Sequence, residues 1–131
     1  TDMKKILVAE DNGVNRELLR ELLEARGYDV MEACDGKEAL DLIAKAQPDI
    51  LLLDIGMPVM DGYAVVRVLR QNPGFSKLPV VAVTALAMQG DREKILNSGF
   101  DGYLSKPVNP RSLAAELDRL LGSSAAAHSA S

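Results

Sequence analysis

The sequence predicts an α/β fold in which a five-stranded parallel sheet carries helices on both faces. Three observations support this prediction. Short apolar runs of strand length alternate five times with longer segments whose apolar residues recur at helical spacing. The run at residues 50–53 is apolar throughout, which is typical of a strand buried on both faces in a parallel sheet. Turn-forming residues, chiefly glycine, asparagine, aspartate and proline, separate the segments.

The first strand and the first helix are defined by a change in apolar spacing. We predict the strand at residues 4–9 and the helix at residues 14–26, with the turn Asn12-Gly13 between them. Gly27 suits the end of this helix, because glycine accepts the left-handed backbone found there. The apolar stripe of the helix is predicted to consist of Val14, Leu18, Leu22 and Ala25, with Leu19 and Leu23 beside it.

The second strand is weaker and the third is the strongest in the chain. We predict the second strand at residues 28–33, with little apolar content beyond Val30 and Met31. Asp35 is a good N-cap for a second helix that closes near Gln47. The third strand follows, and it ends in the carboxylate of Asp54.

The second half of the chain repeats the alternation. A third helix is predicted at residues 63–71, and a β-branched strand at residues 79–84. A fourth helix at residues 88–98 has a thin apolar stripe, and Gly90 inside it costs about 1 kcal/mol relative to alanine. The last strand and the last helix are predicted at residues 103–106 and 109–121.

Length and composition limit the classes of protein to consider. The 131 residues are expected to form one domain at 1–121 and a small, polar, disordered tail at 122–131. A net charge of −4 and a pI near 5.0 argue against nucleic-acid binding, which needs a basic surface. No apolar run approaches the roughly 20 residues of a membrane span. The single cysteine, Cys34, allows no internal disulfide and fits a cytoplasmic location.

Four of the five predicted strands end in polar residues that can take part in chemistry. Parallel strands place these ends on one edge of the sheet, where ligands bind in open α/β folds. Each residue alone has a plainer interpretation as a solvated turn, a helix cap or a surface lysine. Their shared position is what favours a functional site. The residues are Glu10 and Asp11 after the first strand, Asp54 after the third, Thr84 after the fourth and Lys106 after the fifth.

The charges of this group indicate a bound cation. Three carboxylates within about 4–6 Å repel one another by a few kcal/mol per pair, and one lysine offsets only part of that. Oxygen ligands from Asp11, Asp54 and the Gly56 carbonyl, completed by water, suit Mg²⁺. No histidine or cysteine lies nearby, which disfavours zinc. A cation, Lys106 and the hydroxyl of Thr84 around one carboxylate are what phosphoryl transfer to Asp54 requires.

These residues resemble the signature of the receiver domain of two-component response regulators. The resemblance covers residues 4–121 and implies a flavodoxin-like, doubly wound sheet of strand order 2-1-3-4-5. That order leaves the second strand, which lacks a functional residue, at an edge. The residues that carry the resemblance are Glu10-Asp11, the segment Asp54-Ile55-Gly56-Met57-Pro58-Val59-Met60-Asp61-Gly62, Thr84-Ala85 and Lys106-Pro107.

The resemblance also implies roles for the acidic residues. Asp54 is then the phosphoacceptor, and it binds Mg²⁺ directly together with Asp11. Gly56 contributes its carbonyl oxygen, and Glu10 acts through water. A receiver of this type is a phosphoprotein rather than an enzyme in the usual sense, although it catalyses its own phosphorylation and slow autodephosphorylation.

Three further expectations come from the same resemblance. Thr84 and Lys106 contact the phosphoryl group, and Tyr103 is the aromatic switch residue that moves inward when Thr84 is drawn to the phosphate. The peptide bond between Lys106 and Pro107 is expected to be cis. Phosphorylation is expected to change the surface formed by the fourth helix, the fifth strand and the fifth helix, which a downstream protein then binds.

The expected partners are a histidine kinase or a histidine phosphotransfer protein as donor, with neither nucleic acid nor membrane involved. Gly56 and Leu86 offer no carboxylate or amide to orient an attacking water, so a long-lived acyl phosphate is expected. The pattern of Asn12 and Asn15 after the acidic pair resembles receivers of hybrid kinases and of stand-alone cell-cycle regulators, and phosphorelay signalling is expected; the two residues equally suit helix capping. The alternatives are an interaction module that works without phosphorylation, an aspartyl-phosphate hydrolase and a nucleotide-binding module.

Overall fold

The strands and helices alternate throughout the computed structural model, which describes residues 3–57, 59–85 and 89–121. The five strands are β1 Lys5–Ala9, β2 Asp29–Ala33, β3 Ile50–Asp54, β4 Val80–Thr84 and β5 Gly102–Ser105. The five helices are α1 Gly13–Ala25, α2 Gly36–Ala46, α3 Gly62–Gln71, α4 Gln89–Asn97 and α5 Pro110–Leu121.

The sheet is parallel and its strand order is β2-β1-β3-β4-β5, as predicted. The central strand β3 pairs with β1 on one side and with β4 on the other, and all five of its residues are buried. This explains why residues 50–53 are continuously apolar, since neither face of the strand meets solvent. The pairing of β1 with β3 and of β3 with β4 brings three strand ends side by side at the carboxyl edge.

The core has two layers, one on each face of the sheet. Helices α1 and α5 cover one face, where Leu19, Leu23, Leu113 and Leu117 pack on the inward side chains of the strands. Helices α2, α3 and α4 cover the other face. Alternate residues of β1 and β3 point to the two layers, so the sheet positions its carboxyl edge from both sides.

Four helices begin at a side chain that caps their first turn, and for α5 this is Asn109, whose Oδ1 accepts from the N–H groups of Arg111 and Ser112. The side-chain oxygens of Asn12, Asp35 and Asp61 accept hydrogen bonds from the backbone N–H groups of Asn15, Glu38 and Ala64. Capping by Asn12 starts α1 at Gly13, one residue before the predicted start. Gly27 and Gly99 follow α1 and α4 with φ values of 89° and 109°, as expected of glycine after a helix.

The predicted apolar stripe of α1 was wrong in part. Val14 is 76% exposed and Leu18 is 43% exposed, whereas Leu19 and Leu23 are buried against the sheet. The helix is therefore turned so that the pair at i and i+4 faces inward. Leucine occurs on several sides of this helix, and apolar spacing alone did not identify the side that packs.

The other differences in element boundaries have local causes. Tyr28 was predicted in the second strand, but its N–H donates to the Leu23 carbonyl at 3.2 Å, so it belongs to the turn after α1. The last strand begins one residue early at Gly102 and ends at Ser105, which leaves Lys106 just beyond it. The predicted helix start at Met88, the side chain of Leu86 and the tail at 122–131 lie outside the described residues.

Candidate functional site

The carboxyl edge of the sheet forms an open cleft of about 380 Å³. It contains six of the seven residues predicted for the site, because β1, β3, β4 and β5 all end there. The seventh, Tyr103, lies in the middle of β5, opposite Ala82, and outside the cleft. The predicted residues that line the cleft are Glu10, Asp11, Asp54, Gly56, Thr84 and Lys106.

Asp54 is the last residue of β3, and it is only 5% exposed. The N–H of Gly56 donates to its Oδ1 at 3.1 Å, and Nζ of Lys106 lies 3.2 Å from its Oδ2. Each carboxylate oxygen therefore has a donor that fixes its direction. A buried carboxylate held in this way at the wall of an open cleft is oriented to react with a ligand that enters from solvent.

Glu10 is more deeply buried, at 1% exposure, and is less completely paired. Its Oε2 accepts a hydrogen bond of 3.2 Å from the N–H of Asn12. Nζ of Lys106 lies 3.1 Å from Oε1, but no group among the described residues donates a well-aligned hydrogen bond to this buried oxygen. Burial, and next the contact with the Asp54 carboxyl, raises the pKa of Glu10 above 4.5, although Asn12 and Lys106 act in the opposite direction.

Lys106 follows β5 and precedes Pro107, to which it is joined by a cis peptide bond, as predicted. Burial on its own lowers the pKa of this lysine. Its close contact with the Glu10 carboxylate and the negative charge of Asp54 more than offset burial, so its pKa is raised above 10.5. The ammonium group is therefore charged at neutral pH and sits between two carboxylates.

The acidic residues of the cleft fit a magnesium ion. Glu10, Asp11 and Asp54 each offer a carboxylate oxygen, and these oxygens all lie within 4.8 Å of one another. Carboxylate oxygens are the ligands that Mg²⁺ prefers, and it keeps several waters when bound. The poorly paired Oε1 of Glu10 fits the same interpretation, because a metal-bound water could donate to it. Gly56 lines the cleft beside Asp54.

Thr84 ends β4, is buried, and lies opposite Ser105 in the pairing of β4 with β5. Tyr103 is half-buried two residues earlier on β5, and the guanidinium carbon of Arg92 lies 5.5 Å from the centre of its ring. Arg92 belongs to α4, so this cation–π contact joins α4 to β5.

Sequence reasoning missed one residue beside the acidic pair. Nη1 of Arg16 donates to the backbone carbonyl of Glu10 at 2.8 Å. The sequence carries no signal of this bond, because an arginine on a helix is ordinarily a surface residue. Asn12 and Asn15 line the cleft. Asn12 also caps α1, because its Oδ1 accepts a hydrogen bond from the N–H of Asn15, so the capping interpretation is correct for Asn12.

The fold and the cleft together define an α/β domain with an acidic pair, a central aspartate and a lysine at one edge of a parallel sheet. The model of the response regulator receiver domain matches residues 6–118, and the chain belongs to this family. Receiver domains belong to two-component signalling systems and bind Mg²⁺ at an acidic site, and they interact with histidine kinases or phosphotransfer proteins.

Two similar proteins differ greatly in length. The polar-differentiation response regulator DivK of Brucella anthropi is 42% identical over 106 residues, which are 81% of this chain and 86% of DivK. The hybrid signal transduction histidine kinase I of Dictyostelium discoideum is 44% identical over 118 residues, which are 84% of this chain. This chain spans only 7% of the length of that kinase.

Solved structures agree with the family and with the fold. A response regulator from Chloroflexus aurantiacus superposes with a TM-score of 0.88 at 31% identity, over 92% of this chain and 99% of that one. The receiver domain of a sensor histidine kinase from Pseudomonas aeruginosa has a TM-score of 0.85 at 36% identity, with the same coverage of both chains. That structure holds a magnesium ion in its active-site cleft. In the part of this chain that the structure describes, no helix is long and apolar enough to cross a membrane.

Proposed function

We propose that this chain is a phosphorylation switch in which Asp54 accepts a phosphoryl group from a phosphohistidine. The donor is a histidine kinase or a histidine phosphotransfer protein. The observation that carries the proposal is the position of Lys106, whose Nζ lies within 3.2 Å of the buried carboxylates of both Glu10 and Asp54. We place the reaction in the cytoplasm, the compartment that the single cysteine of the sequence indicates.

In the transfer, an oxygen of the Asp54 carboxylate forms a bond to phosphorus while the phosphorus–nitrogen bond of the donor breaks. The electron pair of that bond stays on the imidazole, and Asp54 becomes an acyl phosphate. Bound Mg²⁺ would neutralise charge on the phosphoryl oxygens. Asp11, Asp54 and the Gly56 carbonyl would hold it directly, and Glu10 would hold it through water.

Lys106 and Thr84 act on the same phosphoryl group. The raised pKa of Lys106 keeps its ammonium group charged. Because Nζ lies 3.2 Å from Asp54 Oδ2, this positive charge is close to the oxygens on which negative charge accumulates during transfer. Thr84 lines the cleft at the end of the neighbouring strand β4, and its hydroxyl is a donor for a phosphoryl oxygen.

The output of the switch is a change in the surface of α4, β5 and α5. In the structure, the guanidinium of Arg92 faces the ring of Tyr103. When Thr84 moves toward the phosphoryl group, Tyr103 turns inward and this contact is lost. The loss of this cation–π contact alters the position of α4 against β5. An open groove of about 570 Å³ on this surface is the proposed binding site of a downstream protein, and its lining includes Leu96, Tyr103, Ser112, Ala115, Glu116 and Arg119.

The lifetime of the acyl phosphate follows from the side chains around Asp54. Gly56 has no side chain that could orient an attacking water, so we expect the phosphorylated form to last for minutes or longer. A half-life of seconds in Mg²⁺ would contradict this expectation.

The experiment that tests the proposed function is phosphorylation by acetyl phosphate with Mg²⁺, followed by intact-mass measurement. We expect one added phosphoryl group on the unaltered chain and none on Asp54→Asn. A matched control is Asp61→Asn, since asparagine still caps α3 and this residue should not affect labelling. Labelling of Asp54→Asn would show that another residue accepts the group. No labelling of the unaltered chain would favour an interaction module that works without phosphorylation.

A further inference from the structure

We infer that Arg16 is a positioning residue for the acidic pair, and that Glu32 at the edge of the sheet holds Arg16 in place. This inference rests on the proposed function, because it concerns the carboxylates that would bind Mg²⁺. It assigns a role to β2, the one strand with no cleft residue either within it or directly after it.

The guanidinium of Arg16 makes two directed contacts from α1. Its Nη1 donates to the carbonyl of Glu10 at 2.8 Å, and its Nε donates to Oε1 of Glu32 at 3.0 Å. The side chain is only 20% exposed, so water competes weakly for these bonds. Arginine presents several donors in a rigid plane, which allows one side chain to bind a carbonyl and a carboxylate at fixed angles.

Glu32 does more than orient Arg16. It lies on β2, and its second carboxylate oxygen is paired with Nη1 of Arg20, one turn along α1. The negative charge of Glu32 also offsets the positive charge of Arg16. A guanidinium beside the acidic pair would otherwise repel a cation in the cleft. The ion pair of Arg16 with Glu32 therefore preserves the negative electrostatic potential that attracts Mg²⁺.

The backbone around Asp11 is fixed on both sides by these contacts. The N–H of Glu10 donates to the carbonyl of Ala33 at 3.0 Å, which extends the pairing of β1 with β2 beyond the end of β1. The carbonyl of Glu10 is held by Arg16, and the N–H of Arg16 donates in turn to the carbonyl of Asn12 at 2.9 Å. The peptide group between Glu10 and Asp11 therefore has one orientation.

This matters because the side chain of Asp11 is exposed at the cleft. Its direction depends on the backbone that carries it, which Arg16 holds through the Glu10 carbonyl. Removal of the guanidinium leaves this carbonyl without its donor and allows the peptide to turn. Asp11 then moves relative to Asp54, and the oxygen set that lies within 4.8 Å is lost. Supporting contacts of this kind typically change metal affinity by 10–100-fold.

The test compares two arginines of the same helix that share Glu32. Arg16→Ala removes the bond to the Glu10 carbonyl, whereas Arg20→Ala removes a partner of Glu32 that is 48% exposed and is not bonded to Glu10. Magnesium affinity is measured by titration calorimetry. We expect Arg16→Ala to weaken binding by about tenfold or more and Arg20→Ala by less than twofold. Arg16→Lys should recover part of the loss, because an ammonium can donate to the carbonyl but lacks the planar donor array that holds both partners at fixed angles.

A second measurement on the metal-free chain keeps the inference independent of metal binding. Amide hydrogen exchange at Asp11 and Asn12 should accelerate in Arg16→Ala and stay unchanged in Arg20→Ala. Equal exchange in the two variants, or equal magnesium affinity, would overturn the inference. Failure of acetyl phosphate labelling with normal magnesium binding would instead reject the proposed function and leave the role of Arg16 standing.

Discussion

Nζ of Lys106 lies 3.1 Å from Oε1 of Glu10, a carboxylate oxygen that is sealed from solvent. The same ammonium group lies 3.2 Å from the carboxylate of Asp54. One cation is thus shared by two buried anions, and Glu10 remains the less well paired of the two. The site carries an uncompensated negative charge before any ligand binds, and the predictions below follow from this imbalance.

Replacement of Asp54 by asparagine should stabilise the metal-free chain. The amide keeps the shape of the carboxylate while it removes one of the two anions that share Lys106. We expect the free energy of unfolding to rise by about 1 kcal/mol, because the repulsion between this carboxylate and that of Glu10 is removed. Urea unfolding in EDTA measures it, with the exposed Asp41→Asn as control. A decrease in stability would mean that Lys106 already compensates both charges.

Removal of Lys106 should lower the stability of the metal-free chain. It should also increase the stabilisation that Mg²⁺ provides. Lys106→Met leaves Glu10 and Asp54 close together with no cation, so we expect a loss of about 2 kcal/mol, less than for a fully buried pair. Mg²⁺ should then stabilise this variant more than the unaltered chain, because the ion no longer competes with an ammonium group. Thermal unfolding with and without Mg²⁺ tests both statements, and the exposed Lys77→Met should behave like the unaltered chain.

The stability of the metal-free chain should depend on the protonation of Glu10. Its folded pKa lies above the unfolded value of 4.5, so the folded state holds this proton more tightly than the unfolded state does. The resulting stabilisation is complete below pH 4.5 and is lost as the pH rises through the raised folded pKa. Glu10→Gln imitates the protonated form at every pH. Its advantage over the unaltered chain in urea unfolding should therefore grow across this window and then level off. An advantage that is constant with pH would contradict this account.

The start of α3 should tolerate no side chain at Gly62. A Cβ atom there would lie 2.9 Å from the Cα of Ile55 and 3.1 Å from the carbonyl oxygen of Asp54, and these backbone atoms cannot move aside cheaply. We expect Gly62→Ala to cost about 2 kcal/mol and to slow labelling by acetyl phosphate, because it displaces the end of β3.

Gly13→Ala is the matched control for this substitution. The nearest atom to its added Cβ is 3.8 Å away, so its stability should stay the same or rise by up to about 1 kcal/mol. Equal stability losses in the two variants would show that close approach to β3 does not distinguish Gly62.

The sheet and most of the cleft could be predicted from the sequence because two general rules act on them. Apolar runs without alternation identify strands that are buried on both faces, and parallel strands bring their carboxyl ends together. Asp54, Thr84 and Lys106 each stand at or next to such an end, so their joint position in the cleft required no knowledge of side-chain packing.

What could not be predicted depends on contacts between distant parts of the chain. The rotation of α1 leaves Val14 exposed, and it was decided by which leucines fit the sheet. The bond from Arg16 to Glu32 joins a helix to a strand 16 residues away. Val59 adopts φ of 70°, which is unusual for a β-branched residue, and the turn formers around it did not indicate this conformation.

The shared lysine has a consequence for laboratory evolution. Glu10 and Asp54 are kept at a cost to the folded state, so the unliganded chain is less stable than its fold permits. A selection for heat resistance alone would favour neutral replacements at these two positions. Variants recovered from such a selection would keep the architecture and lose the ability to carry a signal. Selection in the presence of Mg²⁺ would weaken the preference for neutral residues, because both carboxylates stabilise the folded state when they bind the ion.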